Sequence, residues 1–187
     1  MNAAIRTDRR PDAAAPDAPG ADESAQYLTF QVGSESFAIA ILGIKEIIEY
    51  AGLTEVPLMP ECIRGVINVR GSVVPVLDLS ARFGRKVAAI TRRTCIVIVE
   101  VESDGVRHDM GVIVDAVNAV LEIPLSQIEP PPAFGAKIRT DFIAGMGKVD
   151  GRFVILLNID QVLSTDEIGE MARMGEGAAE AAETEAG

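Results

Sequence analysis

The side chains able to do chemistry are few and far apart. His108 is the sole histidine in 187 residues and stands beside Asp109 in a turn. There an exposed loop residue is the expectation and a general base the exception. Cys62 and Cys95 lie beside apolar runs with no metal-ligand spacing, so reduced thiols are expected rather than a disulfide framework. A zinc site would require both cysteines and His108 to converge from unrelated positions. GMGK, Gly145–Lys148, has part of a phosphate loop, but Phe142 occupies the place of the first glycine and Val149 that of the Ser or Thr. No Gly-x-Ser-x-Gly elbow occurs. Asp78 and Asp115 both follow aliphatic runs and look like a carboxylate pair, yet capping and turn formation explain them better. These residues predict no enzyme, no cofactor and no metal.

One polar residue still needs a reason. Arg70 precedes a turn glycine inside the apolar stretch IRGVINVRGSVVPVLDLSARFG, Ile63 to Gly84. Either its guanidinium makes an internal ion pair with Glu46 or Asp78, or it reaches a partner while its stem packs on apolar surface. From the residues alone the ion pair is the better reading, since most such arginines are structural.

The elements around it read as strands. Hydrophobic residues make up 48% of the chain, aromatics 4%, and tryptophan is absent; a Val- and Ile-rich composition leans toward sheet. YLTFQV alternates and Gly33-Ser34 turns it into SFAIAI, a hairpin. LGIKEIIEY is short, so one turn leading into a strand is as good a reading as a helix. Two short strands meet at Arg70-Gly71, and CIVIVEV and MGVIVDAV form a further hairpin around Asp104-Gly105. Ser164 and Glu167 have capping-box spacing ahead of Ile168, Met171 and Met174, an apolar side for a last short helix.

The order of these runs repeats. At an offset of 80, Ile63–Leu79 lies on Ile143–Ile159, with Gly65 on Gly145, Val69 on Val149, Gly71 on Gly151 and Leu77 on Leu157. At an offset of 73, Phe37–Glu49 lies on Met110–Glu122, with Ile44 on Val117, Ile47 on Val120 and Glu49 on Glu122. This predicts two copies of one β unit of about five strands, each curling into a small barrel to hide its edges. Gly65 and Gly145 suit bulges, Gly71 and Gly151 suit positive-φ turn positions, and Pro75 belongs on an edge or bulge. Asp150 stands where Arg70 stands in the first copy, so the copies are not equivalent.

The formal charge of −11 and the lack of a basic stripe argue against nucleic acid. Residues 1–25 and 175–187 (GEGAAEAAETEAG at the end) are Ala-, Pro- and acid-rich without periodicity, and disordered tails are expected there. The ordered part is then 26–174. The start lacks a signal-peptide core, and no run of about 18 apolar residues exists to insert in a membrane, so a cytoplasmic protein is expected. A ligand- or RNA-binding β barrel would need a convergent polar pocket or a basic face, and the sequence offers neither.

FAIAILGIKEIIE, the Gly-x-x-Asn-x-Arg-Gly pattern of Gly65, Asn68, Arg70 and Gly71 with its following VPVLDL, and FIAGMGKVDGRFVILLNID together resemble the CheW family of chemotaxis coupling proteins. The resemblance covers 26–174. It implies a mostly β fold of two pseudo-symmetric, intertwined five-stranded SH3-like barrels with short helices, and no catalytic activity. It also implies an adaptor that couples the cytoplasmic tips of methyl-accepting chemoreceptors to the regulatory domain of the histidine kinase CheA, recruited to membrane receptor arrays. Kinase contact would use the outer barrel surfaces. Receptor contact would use a groove between the barrels, carried over onto Ile44, Glu46, Gly65, Arg70 and Val117. The long head and acidic tail leave open whether the pathway is the main chemotaxis array or a parallel chemosensory one. For Ile44 and Val117, barrel core and groove are both open readings.

Overall fold

Alternating apolar residues settle the first hairpin: β1 (Ser24–Val32) faces Leu28, Phe30 and Val32 inward and pairs Phe30 with Phe37 of β2 (Glu35–Ala40). The computed structural model describes residues 23–133 and 138–169; most of both tails, with Met171 and Met174, lies outside the described residues. β1 starts at Ser24, inside the segment expected to be a tail. Ser24 and Ala25 have no large side chain to bury, but their backbones pair with Pro124 and Ile123.

One 3-10 turn, Ile41–Gly43, leads into β3 (Ile44–Glu49), which resolves LGIKEIIEY as turn plus strand. The remaining elements are β4 (Ile63–Val69), β5 (Ser72–Asp78), α1 (Leu79–Arg82), β6 (Cys95–Ser103), β7 (Val106–Val114), β8 (Ala116–Pro124), β9 (Ile128–Glu129), β10 (Ile143–Val149), β11 (Arg152–Leu157) and α2 (Ile159–Val162). Residues 165–169 form a last helical turn.

The two copies exchange hairpins. One sheet runs β8-β1-β2-β11-β10-β9 and the other β3-β6-β7-β5-β4. Under the repeat, β3 corresponds to β8, β6 to β1, β7 to β2, β5 to β11 and β4 to β10, so the five strands of one sheet match five of the other, which adds the short β9 at its edge. Each is completed by the hairpin of the other copy. The bulges repeat as well: pairing shifts between Ile63 and Gly65 in one sheet and between Ile143 and Gly145 in the other. These are SH3-like sheets whose hydrogen-bond ladders stay open at the ends, where closed barrels were expected. In the second sheet Arg70 after β4 meets Glu46 on β3 at 3.4 Å, an exposed ion pair between its two edge strands.

Each sheet wraps a small core, Val74, Val76, Ile96, Ile98 and Ile113 in one and Ala38, Ile123, Val154 and Leu156 in the other. The largest cluster lies between them and includes Phe30, Phe37, Leu77, Leu79, Phe83, Val112, Val114, Phe142 and Val162. Its rings run as a chain, Phe30–Phe37 at 6.2 Å, Phe37–Phe83 at 5.2 Å and Phe83–Phe142 at 6.1 Å. A fully buried Leu or Phe contributes roughly 1.5–3 kcal/mol, so most of the burial that stabilises either sheet is shared with the other. The seam is thus the main core.

The two short helices begin alike. Asp78 accepts from Ala81 N at 3.2 Å and Ala88 N at 3.0 Å, and its counterpart Asn158 accepts from Gln161 N at 3.4 Å. Asp115 accepts from Gly33 N at 2.7 Å. Both aspartates are engaged in capping and turn formation.

Candidate functional site

The Arg70 turn is built against the preference of its backbone. Arg70 (φ 52) and Gly71 (φ 87) are both left-handed, the two-residue turn whose twist suits a hairpin and whose first position favours Asn, Asp or Gly. The sister turns obey that preference with Asp104-Gly105 and Asp150-Gly151. Asn68 accepts from Gly71 N at 2.9 Å and steadies the loop. The Arg70 side chain is 82% exposed, and its Nε lies 3.4 Å from Glu46 Oε2. Of the two internal partners expected, Asp78 is excluded because it is buried and used as a cap. Glu46 is the partner, but on the surface, where such a pair is worth about 0–1 kcal/mol. A carboxylate brought by another protein can replace it at little cost.

Ile44 and Val117 occupy matching places. Ile44 pairs with Val99 and Val117 with Phe30, and each is half-buried against the seam core. Both ladders skip one residue beside them, Lys45 after Ile44 and its counterpart Asn118 after Val117. Such bulges re-aim neighbouring side chains. Here Lys45 turns outward to Asp109 at 2.9 Å and Glu100 at 3.5 Å, and the Asp109 hydrogen bond raises its pKa. Ile44 and Val117 are neither sealed core nor free surface; they form the outer margin of the seam.

Gly65 does a different task from the one carried over to it. It is buried at φ 152, and a Cβ there would stand 2.3 Å from the Thr54 carbonyl oxygen. Its missing side chain lets Thr54 bridge Val66, with N–H···O bonds of 3.0 and 2.8 Å. Gly65 shapes the wall and presents no contact surface.

Several surface residues escaped the sequence reading. Leu42, two residues before Ile44, is 97% exposed. Read as part of FAIAILGIKEIIE it looks interior, and only the 3-10 turn pushes it out. Ile47 and Val120 are both exposed, on β3 and β8; the repeat paired them, but alternation alone did not say which face was wet. A further cluster went unseen: Phe142 lies under the guanidiniums of Arg82 (4.8 Å) and Arg139 (4.5 Å), which share Glu167. Glu167 N approaches Ser164 Oγ at 3.5 Å, half of the expected capping box; its carboxylate goes to the arginines instead. Those arginines, Arg82 first, hold the Glu167 carboxyl below its ordinary value.

His108 is exposed on β7 opposite Val101, and burial raises the Cys62 thiol pKa. Among the described residues, no three His, Cys, Asp or Glu side chains gather to hold a metal.

The model of the CheW-like domain family matches residues 26–167. The chain is 34% identical over 142 residues to the chemotaxis protein CheW of Rhizobium meliloti, covering 76% of this chain and 89% of that one. It is 32% identical over 143 residues to the chemotaxis protein CheW of Klebsiella aerogenes, covering 76% and 84%. The crystal structure of the scaffolding protein TtCheW from Thermoanaerobacter tengcongensis superposes with a TM-score of 0.67 at 33% identity, covering 75% of this chain and 88% of that one. With the exchanged hairpins, the paired bulges and the Arg70 turn in the same chain, the protein belongs to the CheW-like family of non-catalytic chemotaxis scaffolds.

Proposed function

We propose that this scaffold couples the cytoplasmic tips of chemoreceptors to the histidine kinase CheA, with the seam margin taking the receptor. The observation that carries the reading is the Arg70 turn. A long cation stands where the backbone favours Asp or Gly, is highly exposed, and among the described residues holds one carboxylate partner, Glu46. Leu42 and Ile44 supply apolar surface at the start of the same β3 strand that carries Glu46, and Val117 supplies the repeat-related position on β8. A receptor helix with apolar residues and an acidic group fits that chemistry. Kinase contact falls to the outer faces of the sheets, leaving the margin free for the receptor. Among the described residues no helix is long and apolar enough to cross a membrane, so recruitment to an array runs through the receptor tips.

The test is co-sedimentation with vesicle-borne receptor tips and the kinase regulatory domain. All three components should pellet together, kinase activity should become receptor-dependent, and Arg70→Ala should lose the receptor while keeping the kinase. A protein that pellets with neither, or an Arg70→Ala variant with unchanged receptor affinity, would overturn the assignment. Which receptors are recovered decides between the main array and a parallel chemosensory pathway.

A further inference from the structure

The strands of each sheet's parallel pair part company near the hairpin tips. β5 and β7 pair only from Val76↔Gly111 to Asp78↔Ile113; the preceding residues, Ser72–Pro75 and 107–110, diverge. Pro75 sits at the parting point, where its lack of an amide proton ends the ladder, whereas its counterpart Ile155 still pairs with Phe37. A cleft of about 680 Å³ opens between the tips. The repeat produces a second cleft between β2 and β11, lined by Ser34, Glu35, Ser36, Arg152 and Phe153.

The two clefts differ in one wall. The β5–β7 cleft is bounded by the last helical turn through Thr165, Ile168 and Gly169, and among the described residues no such wall lines the other. Its apolar lining includes Met59, Ile63, Val73, Pro75, Met110 and Ile168, with Val73 71% exposed. Ile168 is buried in the seam core, which anchors the helical turn at the rim. On that rim Lys45 and Arg107 are already held by Asp109 and Glu100, so the attraction of the cleft is apolar rather than ionic.

We propose that this cleft is the docking site of the chain's own C-terminal segment, 170–187, entered by Met171 and Met174. The described chain stops at Gly169, on the cleft wall, so the next residues need no linker to reach it. Met171 and Met174 follow Ile168 at intervals of three, the spacing that continues one helical face. Methionine fills irregular apolar gaps well because it is unbranched and soft. Beyond Met174, 175–187 carries four glutamates and no apolar residue larger than Ala, so it adds a solvated end and no competing anchor. The segment covers apolar surface on one of two related clefts and leaves Phe153 in the other open, which makes the two faces of the molecule chemically distinct. This inference does not depend on the receptor assignment.

The experiment is methyl NMR on the full chain labelled at Met, Ile and Val methyls. Met171 and Met174 should show cross-peaks to Val73, Met59 or Met110. Met171→Asp with Met174→Asp should shift Val73 and Met110 while leaving Ile96 and Ile113 in place, and Val73→Asp should abolish the cross-peaks. A sample mixing labelled and unlabelled chains separates sources: cross-peaks only between copies would make a second molecule the occupant. That result, or Met171 and Met174 methyls at free-chain shifts with no cross-peaks, overturns the proposal, and the wild-type spectrum decides even if a variant fails to fold.

Discussion

Arg82 donates from Nε to the carbonyl of Val162 at 2.8 Å, and the two residues are counterparts in the repeat, 80 positions apart. Counterparts meet only where the pseudo-twofold axis passes, so this bond marks the axis. At that point the symmetry is broken in chemistry: one copy supplies a valine, the other a guanidinium only 4% exposed. Glu167 from the last helical turn answers it at 3.1 Å, and the Phe142 ring lies beneath it. The last described helical turn is thereby tied to the centre of the shared core.

Arg82→Ala removes the packing, the Val162 bond and one of Glu167's two partners, and should lower stability by about 2–4 kcal/mol. Arg82→Met should recover more than half of that loss, because one guanidinium nitrogen, Nη2, is buried without a partner and the counterpart position is apolar. Replacing a buried charge by an apolar side chain of similar length is often near neutral when its partner keeps another cation. Chemical denaturation of both variants decides it; equal losses would mean the charge rather than the volume matters.

The same cluster sets an acid limit. Arg82 and Arg139 hold Glu167 below its ordinary 4.5, and Arg139 holds Asp141 below its ordinary 3.8. Both carboxyls have depressed folded values, so their contribution is complete above the ordinary values and is lost as pH falls through the folded ones. Thermal melting should show wild type losing stability below the Glu value of 4.5, with a shallower fall in Glu167→Gln. Parallel curves for the two proteins would dissociate the cluster from acid sensitivity.

Gly65 and Gly71 separate two uses of glycine. A Cβ at Gly65 meets backbone oxygen at 2.3 Å, while one at Gly71 meets nothing within 4 Å. Gly71→Ala should therefore cost only the left-handed strain, about 1 kcal/mol. Gly65→Ala must also move residues 53–54 and should cost about 2–4 kcal/mol. The melting temperatures of the pair give the comparison.

What could be read from the sequence was local. Turn pairs such as Asp104-Gly105 and the alternation in YLTFQV depend on neighbours a few residues away, and the match of Gly65 to Gly145 on a repeat of such local patterns; all lie in the hairpins and bulges expected. The exchange of hairpins was not legible in the residues themselves and was implied only by the resemblance, because β1 on β8 and β5 on β7 are pairings across the copies, and no short-range pattern distinguishes them from pairings within a copy. Arg82 was hidden for the same reason: LSAR looks like a polar turn until the seam closes over it. Leu42 shows the opposite failure, an apolar residue in an apolar run that one 3-10 turn leaves in water. Gly65 was carried over as a contact by resemblance, although its own geometry makes it a spacer for Thr54.

Arg70→Asn separates docking from folding at the turn. Asparagine tolerates the left-handed backbone that Arg70 occupies at φ 52, so the loss of an exposed ion pair with Glu46 should be offset and stability should hold within about 0.5 kcal/mol. Receptor affinity should fall by about 1–3 kcal/mol, the range for a lost charged hydrogen bond at an interface. Ile44→Ala and Val117→Ala test the apolar side of the same margin. Full core positions would lose about 2–4 kcal/mol of stability, but half-buried residues at the rim of the seam should lose less than that and lose receptor binding as well. Calorimetric titration with receptor tips, run beside denaturation curves, resolves the two effects. If Arg70→Asn binds like wild type while Ile44→Ala and Val117→Ala lose only stability, the margin is structural and the receptor docks elsewhere.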